Sequence, residues 1–288
     1  MATTRAAKAP EGAGKAVRQA DVQQLASELG LELTPSLRTQ LRRSIAEFGY
    51  EAARELALEA LAKPRAQGLA RQRVCQRLLL AGVTLVDPAT TYVEDSVVVG
   101  AGTVIEPNSV LSGPTTIGGG CHIGPNTIIR DSRIGDGCRI LASAVEGAVL
   151  EDEVTVGPFA HLREGTHLAR GVHVGNFAEV KKARLGRGAK MGHFAYVGDA
   201  EVGEEVNIGA GTVTCNYDGI RKHRTVIGKR AFIGSDTMLV APVRVGDGAT
   251  TGAGAVVTRD VPPDTVVVGT PARARAQRRP AGKRTKRG

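Results

Sequence analysis

Aliphatic residues recur at every sixth position through most of the chain after residue 93, with polar residues or glycine between them. One run consists of Val93, Val99, Ile105, Leu111, Ile117, Ile123 and Ile129. After several steps of five, the spacing of six resumes at Leu150 and continues to Val180, and it returns between Ile227 and Val257. A short fixed period of this kind indicates stacked coils of parallel β-structure, in which each unit supplies one short strand and one turn.

Three such units close one triangular coil, so one turn of the predicted β-helix contains about 18 residues. The aliphatic side chain points inward, and the Gly, Asn or Asp that often follows it forms the corner, as in Ile117-Gly118. The spacing does not determine the hand of the coil. Parallel crossovers are normally right-handed, whereas hexapeptide-repeat proteins, which this chain resembles, form left-handed coils.

Residues 20–84 have a different pattern, with apolar residues at helical spacing. A first helix is expected to stop near Gly30, and Thr34-Pro35 predicts the cap and first turn of a second. Two further helices are predicted on either side of Pro64, over residues 51–62 and 67–80. The predicted organisation is a disordered N-terminus over 1–19, a helical region over 20–84, a left-handed β-helix over 85–269 and a basic disordered tail over 270–288.

The composition favours a turn-rich repeat over a conventional core, since aromatic residues make up only 3% and the chain has 37 glycines and no Trp. No apolar run of about 18 residues occurs, so no membrane span is expected. The residues after Met1 contain no apolar signal core, and the four cysteines form no CxxC pair. These features predict a cytoplasmic protein with reduced thiols.

The formal net charge of +9 is concentrated at the C-terminal end. Residues 273–287 contain eight Lys or Arg and no acid, so the rest of the chain carries only +1 (9 − 8). We interpret this segment as a solvated, disordered tail, with contact to nucleic acid or another anionic group as the alternative. Because no aromatic residues are interleaved with its cations, a nucleic-acid platform is not the expected role.

The regular repeat is interrupted over Thr214–Val226, a segment that must leave the coil as a loop. A polar loop on a stiff scaffold is a common place for binding or catalysis. The side chains in this loop that could reach a ligand are those of Asn216, Tyr217, Asp218, Lys222, His223 and Arg224.

Two cations before the loop, Arg163 and Lys181, are separated by one predicted turn. They should therefore lie one above the other on the same face. Neighbouring cations repel each other unless an anion lies between them, and a phosphate would suit both; the alternative is a solvated basic face. Downstream, His193 is a candidate general base, and Glu179 is the carboxylate expected to orient its imidazole.

Three histidines at a spacing of six, His161, His167 and His173, suggest a metal site, because three histidines can bind one zinc ion. The same spacing places them on three different faces of the coil, so they cannot meet at one ion within a subunit. No metal is therefore predicted, with ligands from a neighbouring subunit as the alternative.

Five segments carry motifs that are longer and less common than a hexapeptide repeat. They are Gly157–Thr166 (GPFAHLREGT), Val174–Lys182 (VGNFAEVKK), Gly192–Glu201 (GHFAYVGDAE), Val206–Gly219 (VNIGAGTVTCNYDG) and Ile233–Pro242 (IGSDTMLVAP). These motifs closely resemble the acetyltransferase half of the bacterial bifunctional N-acetylglucosamine-1-phosphate uridyltransferase/glucosamine-1-phosphate N-acetyltransferase. The resemblance extends from Gln76 to Val268.

The resemblance implies a homotrimeric left-handed β-helix with active sites between subunits, which transfers acetyl from acetyl-CoA to the amine of glucosamine 1-phosphate. His193 matches the general base of the family, Glu179 its orienting carboxylate and Asn216 a residue at the reacting centre. The positions that match substrate ligands are Arg163, Lys181, Tyr196, Asn207 and Lys222. The positions that match the acetyl-CoA site are Ala210, Asn216, Tyr217, Ser235 and Ala253.

Two departures from the family change this expectation. Predicted helices stand where the bifunctional proteins have a nucleotidyltransferase domain, so no uridyltransferase activity is expected. Thr270 occupies the position of an Arg that binds the phosphate of the coenzyme, and Arg273 or Arg275 is the candidate replacement.

The leading hypothesis is a glucosamine-1-phosphate N-acetyltransferase that feeds the synthesis of UDP-N-acetylglucosamine and cell-wall precursors. A second hypothesis is acetylation of another amino sugar or sugar nucleotide, which the altered C-terminal end allows. A third is a non-catalytic β-helix that binds a separate uridyltransferase through its helices.

Overall fold

The computed structural model describes residues 17–275, apart from the side chains of residues 61–67. Disorder is predicted for residues 1–19 and 270–288, and residues 1–16 and 276–288 lie outside the described residues. Within the described part, a helix begins at Gln19 and Arg273–Ala274 form a strand, so these residues depart from the prediction. The chain divides into two units, one ending at Gln72 and the other beginning at Arg73.

Three helices precede the β-structure in residues 17–275: α1 (Gln19–Glu28), α2 (Pro35–Phe48) and α3 (Tyr50–Leu80). The predicted stop and cap are confirmed. Gly30 follows α1 with φ of 63°, and the Thr34 side chain accepts a hydrogen bond from the Leu37 N–H (3.2 Å) at the start of α2. No helix in the described chain combines the length and the apolar character needed to span a lipid bilayer.

The predicted break at Pro64 is wrong, because α3 continues from Tyr50 to Leu80. A proline in a helix interior costs about 3 kcal/mol, and here the surrounding run of Ala, Leu, Glu and Arg, which are strong helix formers, outweighs it. The helix ends instead at Leu80, and Gly82, which has φ of 80°, follows it. The Gly82 and Val83 N–H groups donate to carbonyls of the last turn (3.1 and 3.0 Å), a glycine-based cap that leads directly into the first strand.

The remainder of the described chain forms a parallel β-helix with three faces, in which strands of successive turns pair side by side. The first face consists of β1 (Thr84–Leu85), β4 (Val104–Ile105), β7 (His122–Ile123), β10 (Arg139–Ile140), β13 (Thr155–Val156), β16 (His173–Val174), β19 (Lys190–Met191), β22 (Asn207–Ile208), β25 (Phe232–Ile233), β28 (Thr250–Thr251), β30 (Val266–Val268) and β31 (Arg273–Ala274), the last antiparallel.

The second face consists of β2 (Tyr92–Val93), β5 (Val110–Ser112), β8 (Ile128–Arg130), β11 (Ala144–Glu146), β14 (His161–Leu162), β17 (Ala178–Lys181), β20 (Ala195–Gly198), β23 (Val213–Cys215), β26 (Met238–Val240) and β29 (Val256–Val257). The third face consists of β3 (Val98–Val99), β6 (Thr116–Ile117), β9 (Arg133–Ile134), β12 (Val149–Leu150), β15 (His167–Leu168), β18 (Arg184–Leu185), β21 (Ala200–Val202), β24 (Thr225–Ile227) and β27 (Val243–Val245).

Buried aliphatic residues stack in columns inside the three faces and form one continuous core. Ile105 pairs with Ile123, three repeat units further along the chain, which confirms the predicted period. Ile208 pairs with Ile233, and this turn is longer because it contains the loop between β23 and β24. The β-helix prediction is therefore confirmed, and the interruption of the repeat does leave the coil as a loop.

Successive backbones approach closely at the corner between the first and second faces, which we call the first corner. A Cβ atom on Gly209 would lie 2.5 Å from the Ser235 backbone nitrogen, so no larger residue fits without displacement. The residue after each such glycine is therefore presented on the outside of the coil. In the upper turns the first corner consists of residues 175–177, 192–194, 209–211, 234–236 and 252–254.

Candidate active site

Three cationic side chains converge where the second face meets the loop. The Arg163 N–H donates to the Val180 carbonyl (2.8 Å), which places Arg163 one turn below Lys181 and confirms their predicted stacking. Lys222 reaches the same place from the loop. The positive charge of Arg163 first, and then that of Lys222, lowers the pKa of Lys181. An anion would relieve this repulsion, and a phosphate can accept both a bidentate Arg contact and single Lys contacts.

Glu179 also lies on the second face, but its carboxylate binds Arg163. Arg163 Nη1 donates to Glu179 Oε1 at 2.7 Å, and this hydrogen bond raises the pKa of Arg163. The predicted contact between Glu179 and His193 is wrong within this chain. The parallel register pairs Glu179 with Tyr196, because Glu179 lies inside a strand whereas His193 lies at the first corner. In this structure Glu179 fixes the guanidinium of Arg163.

His193 is exposed at the first corner, one turn above Asn176. Its Nδ1 atom lies 3.2 Å from Asn176 Oδ1. An amide oxygen only accepts hydrogen bonds, so this contact favours the tautomer with the proton on Nδ1, which leaves the Nε2 lone pair free. This is the tautomer that a general base requires.

Small residues line the first corner above His193. Ala210, Ser235 and Ala253 occupy the same position in the next three turns. The carbonyls of Ala210 and Ser235 accept hydrogen bonds from the turn above, at 2.6 and 2.8 Å, so the spacing of the column is fixed by the backbone. A column of short side chains leaves room along the corner for an extended ligand.

The loop folds back on itself as a short hairpin. Tyr217 and Lys222 form an antiparallel bridge, and the His223 N–H donates to the Asn216 carbonyl (2.7 Å). The Asp218 carboxylate accepts hydrogen bonds from two loop N–H groups (2.8 and 2.7 Å) and from His223 Nε2 (2.6 Å). These bonds, a backbone N–H first and His223 second, lower the pKa of Asp218 to about 2. His223, which is not among the positions matched to the family, therefore helps to hold the hairpin.

Asn216 begins the loop and is almost completely buried, with 7% of its surface exposed. Its Nδ2 atom lies 2.5 Å from Asp199 Oδ2 and 3.4 Å from Tyr196 Oη. Sequence reasoning missed both Asn176, the partner of His193, and Asp199. Each precedes its partner by one turn of the coil, so a search at one turn's spacing could have found them.

Two of the predicted binding residues lie apart from the cation cluster within this chain. Asn207 is in β22 on the first face, whereas Tyr196 and the cations are on the second face and the loop. Arg273 lies in β31 on the first face, with Nη1 donating to the Ala272 carbonyl (3.0 Å). Thr270 caps the column of the first corner, where its hydroxyl donates to the Gly254 carbonyl (3.4 Å).

The three histidines considered as metal ligands do not converge. They lie in β14 (His161), β15 (His167) and β16 (His173), on the second, third and first faces. This confirms the prediction that the three histidines lie on three different faces of the coil. His161 and His167 each contact a carboxylate, at 3.1 Å from Glu146 and 2.8 Å from Glu151. Within residues 17–275 no group of three His, Cys, Asp or Glu side chains is arranged to hold a metal ion.

Comparison with known proteins gives matches to hexapeptide repeats. The family described as bacterial transferase hexapeptide (six repeats) matches residues 96–131 and 224–259, and the hexapeptide repeat of succinyl-transferase matches residues 132–157. Among solved structures, the UDP-N-acetylglucosamine acyltransferase of Francisella novicida is 18% identical, with a TM-score of 0.46, and the match covers 65% of this chain and 67% of that one. A match with this sequence identity and TM-score does not identify a family or a function for this chain.

Curated relatives are much more similar in sequence. The bifunctional protein GlmU of Pelobacter propionicus is 52% identical over 205 residues, which cover 71% of this chain and 45% of the relative. The GlmU of Thermotoga petrophila is 53% identical over 199 residues, which cover 69% and 45%. The chain thus spans a little under half the length of these relatives. Its β-helix contains hexapeptide repeats and is homologous to the acetyltransferase half of the bifunctional GlmU proteins.

Proposed function

We propose that this chain transfers an acetyl group from acetyl-CoA to the amine of glucosamine 1-phosphate. The observation that carries the proposal is the convergence of Arg163, Lys181 and Lys222 on the face next to the corner that presents His193. The cluster is suited to a sugar phosphate, and a histidine with a free Nε2 is suited to deprotonating an amine. The product, N-acetylglucosamine 1-phosphate, would feed UDP-N-acetylglucosamine and cell-wall precursor synthesis.

In the proposed reaction the cation cluster binds the phosphate and holds the sugar so that its amine faces the thioester. His193 Nε2 accepts a proton from the nitrogen as the nitrogen attacks the thioester carbonyl carbon. The tetrahedral oxyanion is stabilised by a donor from the loop or Ser235. The carbon–sulfur bond then breaks, coenzyme A leaves as the thiol with the proton returned through His193, and no covalent enzyme intermediate forms. Positioning by the phosphate supplies part of the rate.

Acetyl-CoA in this proposal lies along the first corner. The short side chains of Ala210, Ser235 and Ala253 leave space for its extended pantetheine arm, and Tyr217 of the loop borders the acetyl end. Arg273 is the proposed contact for a coenzyme phosphate, because Thr270 at the top of the column carries no charge. Acetyl-CoA is a co-substrate here, and no metal is required for this chemistry.

The proposal includes a homotrimer with the site shared between subunits. Asn207 lies on the first face while Lys181 lies on the second, and these faces point in different directions from a convex corner. One small sugar cannot contact both residues of one chain. A second copy whose first face lies against the second face of this one would complete the site.

Subunit mixing tests the shared site. Asn207→Ala and Lys181→Gln are each expected to lower turnover as pure proteins. Oligomers reassembled from both variants should regain activity if each site takes the two residues from different chains, because some sites then contain neither substitution. Mixtures that stay as inactive as the parents would contradict the shared site.

A thiol-release assay with acetyl-CoA and a panel of amino sugars tests the activity. Release is expected with glucosamine 1-phosphate and should be lost in His193→Ala. Release only with another amino sugar would support the second hypothesis, and none with any acceptor would support a non-catalytic partner of a separate uridyltransferase. A cytoplasmic location is part of the proposal, supported by the free thiols of all four cysteines, which lie within the described residues.

A further inference from the structure

Asp199 connects three parts of the candidate site, although neither the motifs nor the comparisons assign it a role. Its N–H donates to the Lys181 carbonyl (3.0 Å), and its own carbonyl accepts from the Thr225 N–H (3.2 Å) at the end of the loop. Its carboxylate lies 2.5 Å from Asn216 Nδ2. One residue therefore links the phosphate cluster, the end of the loop and the amide at its beginning.

We propose that Asp199 is a positioning residue that sets the orientation of the Asn216 amide. An ionised carboxylate only accepts hydrogen bonds, so the atom that faces it must be the amide nitrogen. Asn216 Oδ1 then points away from Asp199. Among the described residues no donor is found for Asn216 Oδ1. This oxygen is not fully buried, because the fully buried side-chain polar atom without a partner among those residues is Thr225 Oγ1.

This orientation fixes what Asn216 offers to a ligand, and here the inference rests on the proposed function. Asn216 Nδ2 donates to Asp199 Oδ2 and lies 3.4 Å from Tyr196 Oη, so both amide hydrogens are directed at protein groups, and the side chain presents its oxygen, an acceptor, to a ligand. The group it contacts must therefore be a donor, which fits the amine of the acceptor sugar and does not fit the thioester oxygen. Asn216 thus aligns the nucleophile, and the oxyanion must be stabilised by another group.

The local backbone is built to allow this arrangement. Gly198 precedes Asp199, and a Cβ there would overlap Tyr196 Oη and lie 2.8 Å from Asn216 Nδ2, so glycine leaves the space that the two side chains occupy. Asp199 itself has φ of 48°, a left-handed conformation that Asp, Asn and Gly tolerate better than other residues. A substitution to Gly or Asn therefore changes the side chain without new backbone strain.

Asp199→Gly is the test variant, and Asp131→Gly is its matched control. Asp131 occupies the equivalent corner several turns below, with φ of 50°, and is remote from the candidate site. Asp199→Gly should lower kcat about 10- to 100-fold, since a bond to a charged group is lost and the nucleophile is less well aligned. The KM for acetyl-CoA should change little. Asp199→Asn should recover most of kcat, because its amide oxygen can still accept from Asn216 Nδ2, and Asp131→Gly should behave as wild type.

A double-mutant cycle distinguishes positioning through Asn216 from a general structural effect. In an Asn216→Ala background, Asp199→Gly should cause little further loss of kcat. Additive losses, or failure of Asp199→Asn to recover activity, would overturn the proposal. Absence of acetyl transfer in the wild type would instead contradict the proposed function and leave the orientation to a direct measurement.

That measurement is NMR of protein with isotope-labelled asparagine, in which the Asn216 side-chain amide is assigned by its absence from Asn216→Ala. Its protons should exchange slowly with solvent in the wild type and in Asp199→Asn, and rapidly in Asp199→Gly. Equal exchange in the wild type and Asp199→Gly would show that Asp199 does not hold the amide, whatever the enzyme's activity.

Discussion

Replacing Lys181 by Gln removes one cation from the cluster that we assign to the sugar phosphate. The cluster has a formal charge of +2, from three cations and the Glu179 carboxylate (3 − 1), and the substitution lowers it to +1. A hydrogen bond to a charged group contributes about 1.5–3 kcal/mol, and about 1.4 kcal/mol corresponds to a factor of ten. The substitution should therefore lower kcat/KM for glucosamine 1-phosphate by about 10- to 100-fold.

The thermal stability of Lys181→Gln should not fall with its activity. Neighbouring positive charges lower the pKa of Lys181, so its charge is repelled in the absence of ligand. Lys181→Gln should leave the Tm unchanged or slightly higher while activity falls. Lys229→Gln is the control, because Lys229 is an exposed lysine 3.6 Å from Glu204 at a different corner, and its loss should leave kcat/KM unchanged.

The assay is thiol release at varied sugar concentration, with glucosamine as an acceptor that lacks the phosphate. The preference of the wild type for the phosphorylated sugar should collapse in Lys181→Gln, because the lost contact is to the phosphate. An unchanged kcat/KM, or an equal loss with both acceptors, would refute the reasoning.

Three further predictions concern the corner and the loop. His193→Gln should lower kcat by at least about 100-fold, as expected for loss of a general base, without changing the oligomeric mass; wild-type turnover would exclude that role. Gly209→Ala should destabilise the β-helix by about 1–3 kcal/mol through overpacking, whereas Gly192→Ala, whose Cβ meets no atom within 4 Å, should not; equal urea-unfolding midpoints would contradict this. The pKa of Asp218 is depressed from 3.8 to about 2, so its stabilising contribution is fully present above pH 3.8 and lost as the pH falls through about 2. Asp218→Asn should therefore be less stable than wild type at pH 7, with the difference vanishing near pH 2, and a constant difference would be evidence against the loop contacts.

The hexapeptide repeat made the β-helix predictable, because a period of six buries every aliphatic residue when three units close one turn of the coil and each aliphatic side chain points inward. It also made the stacking of Arg163 on Lys181 predictable, since both lie one turn apart on the same face. The predicted pairing of Glu179 with His193 failed because these two residues are separated by less than a full turn, whereas their observed partners, Arg163 and Asn176, each lie one turn away. Their partners depend on where strands end and corners begin.

The helical region shows a different limit. The cap at Thr34 could be predicted because it depends on the residues next to it. Whether the helix continues through Pro64 depends on whether the flanking residues stabilise the helix by more than the proline destabilises it. No local motif shows which of these two free-energy contributions is larger.

Product identification tests the central claim most directly. The purified chain is incubated with acetyl-CoA and glucosamine 1-phosphate, and the sugar product is examined by NMR and mass spectrometry beside the released thiol. We predict N-acetylglucosamine 1-phosphate in an amount equal to the coenzyme A released, with the acetyl group on nitrogen. Thiol release without an N-acetylated sugar phosphate would contradict the proposed activity.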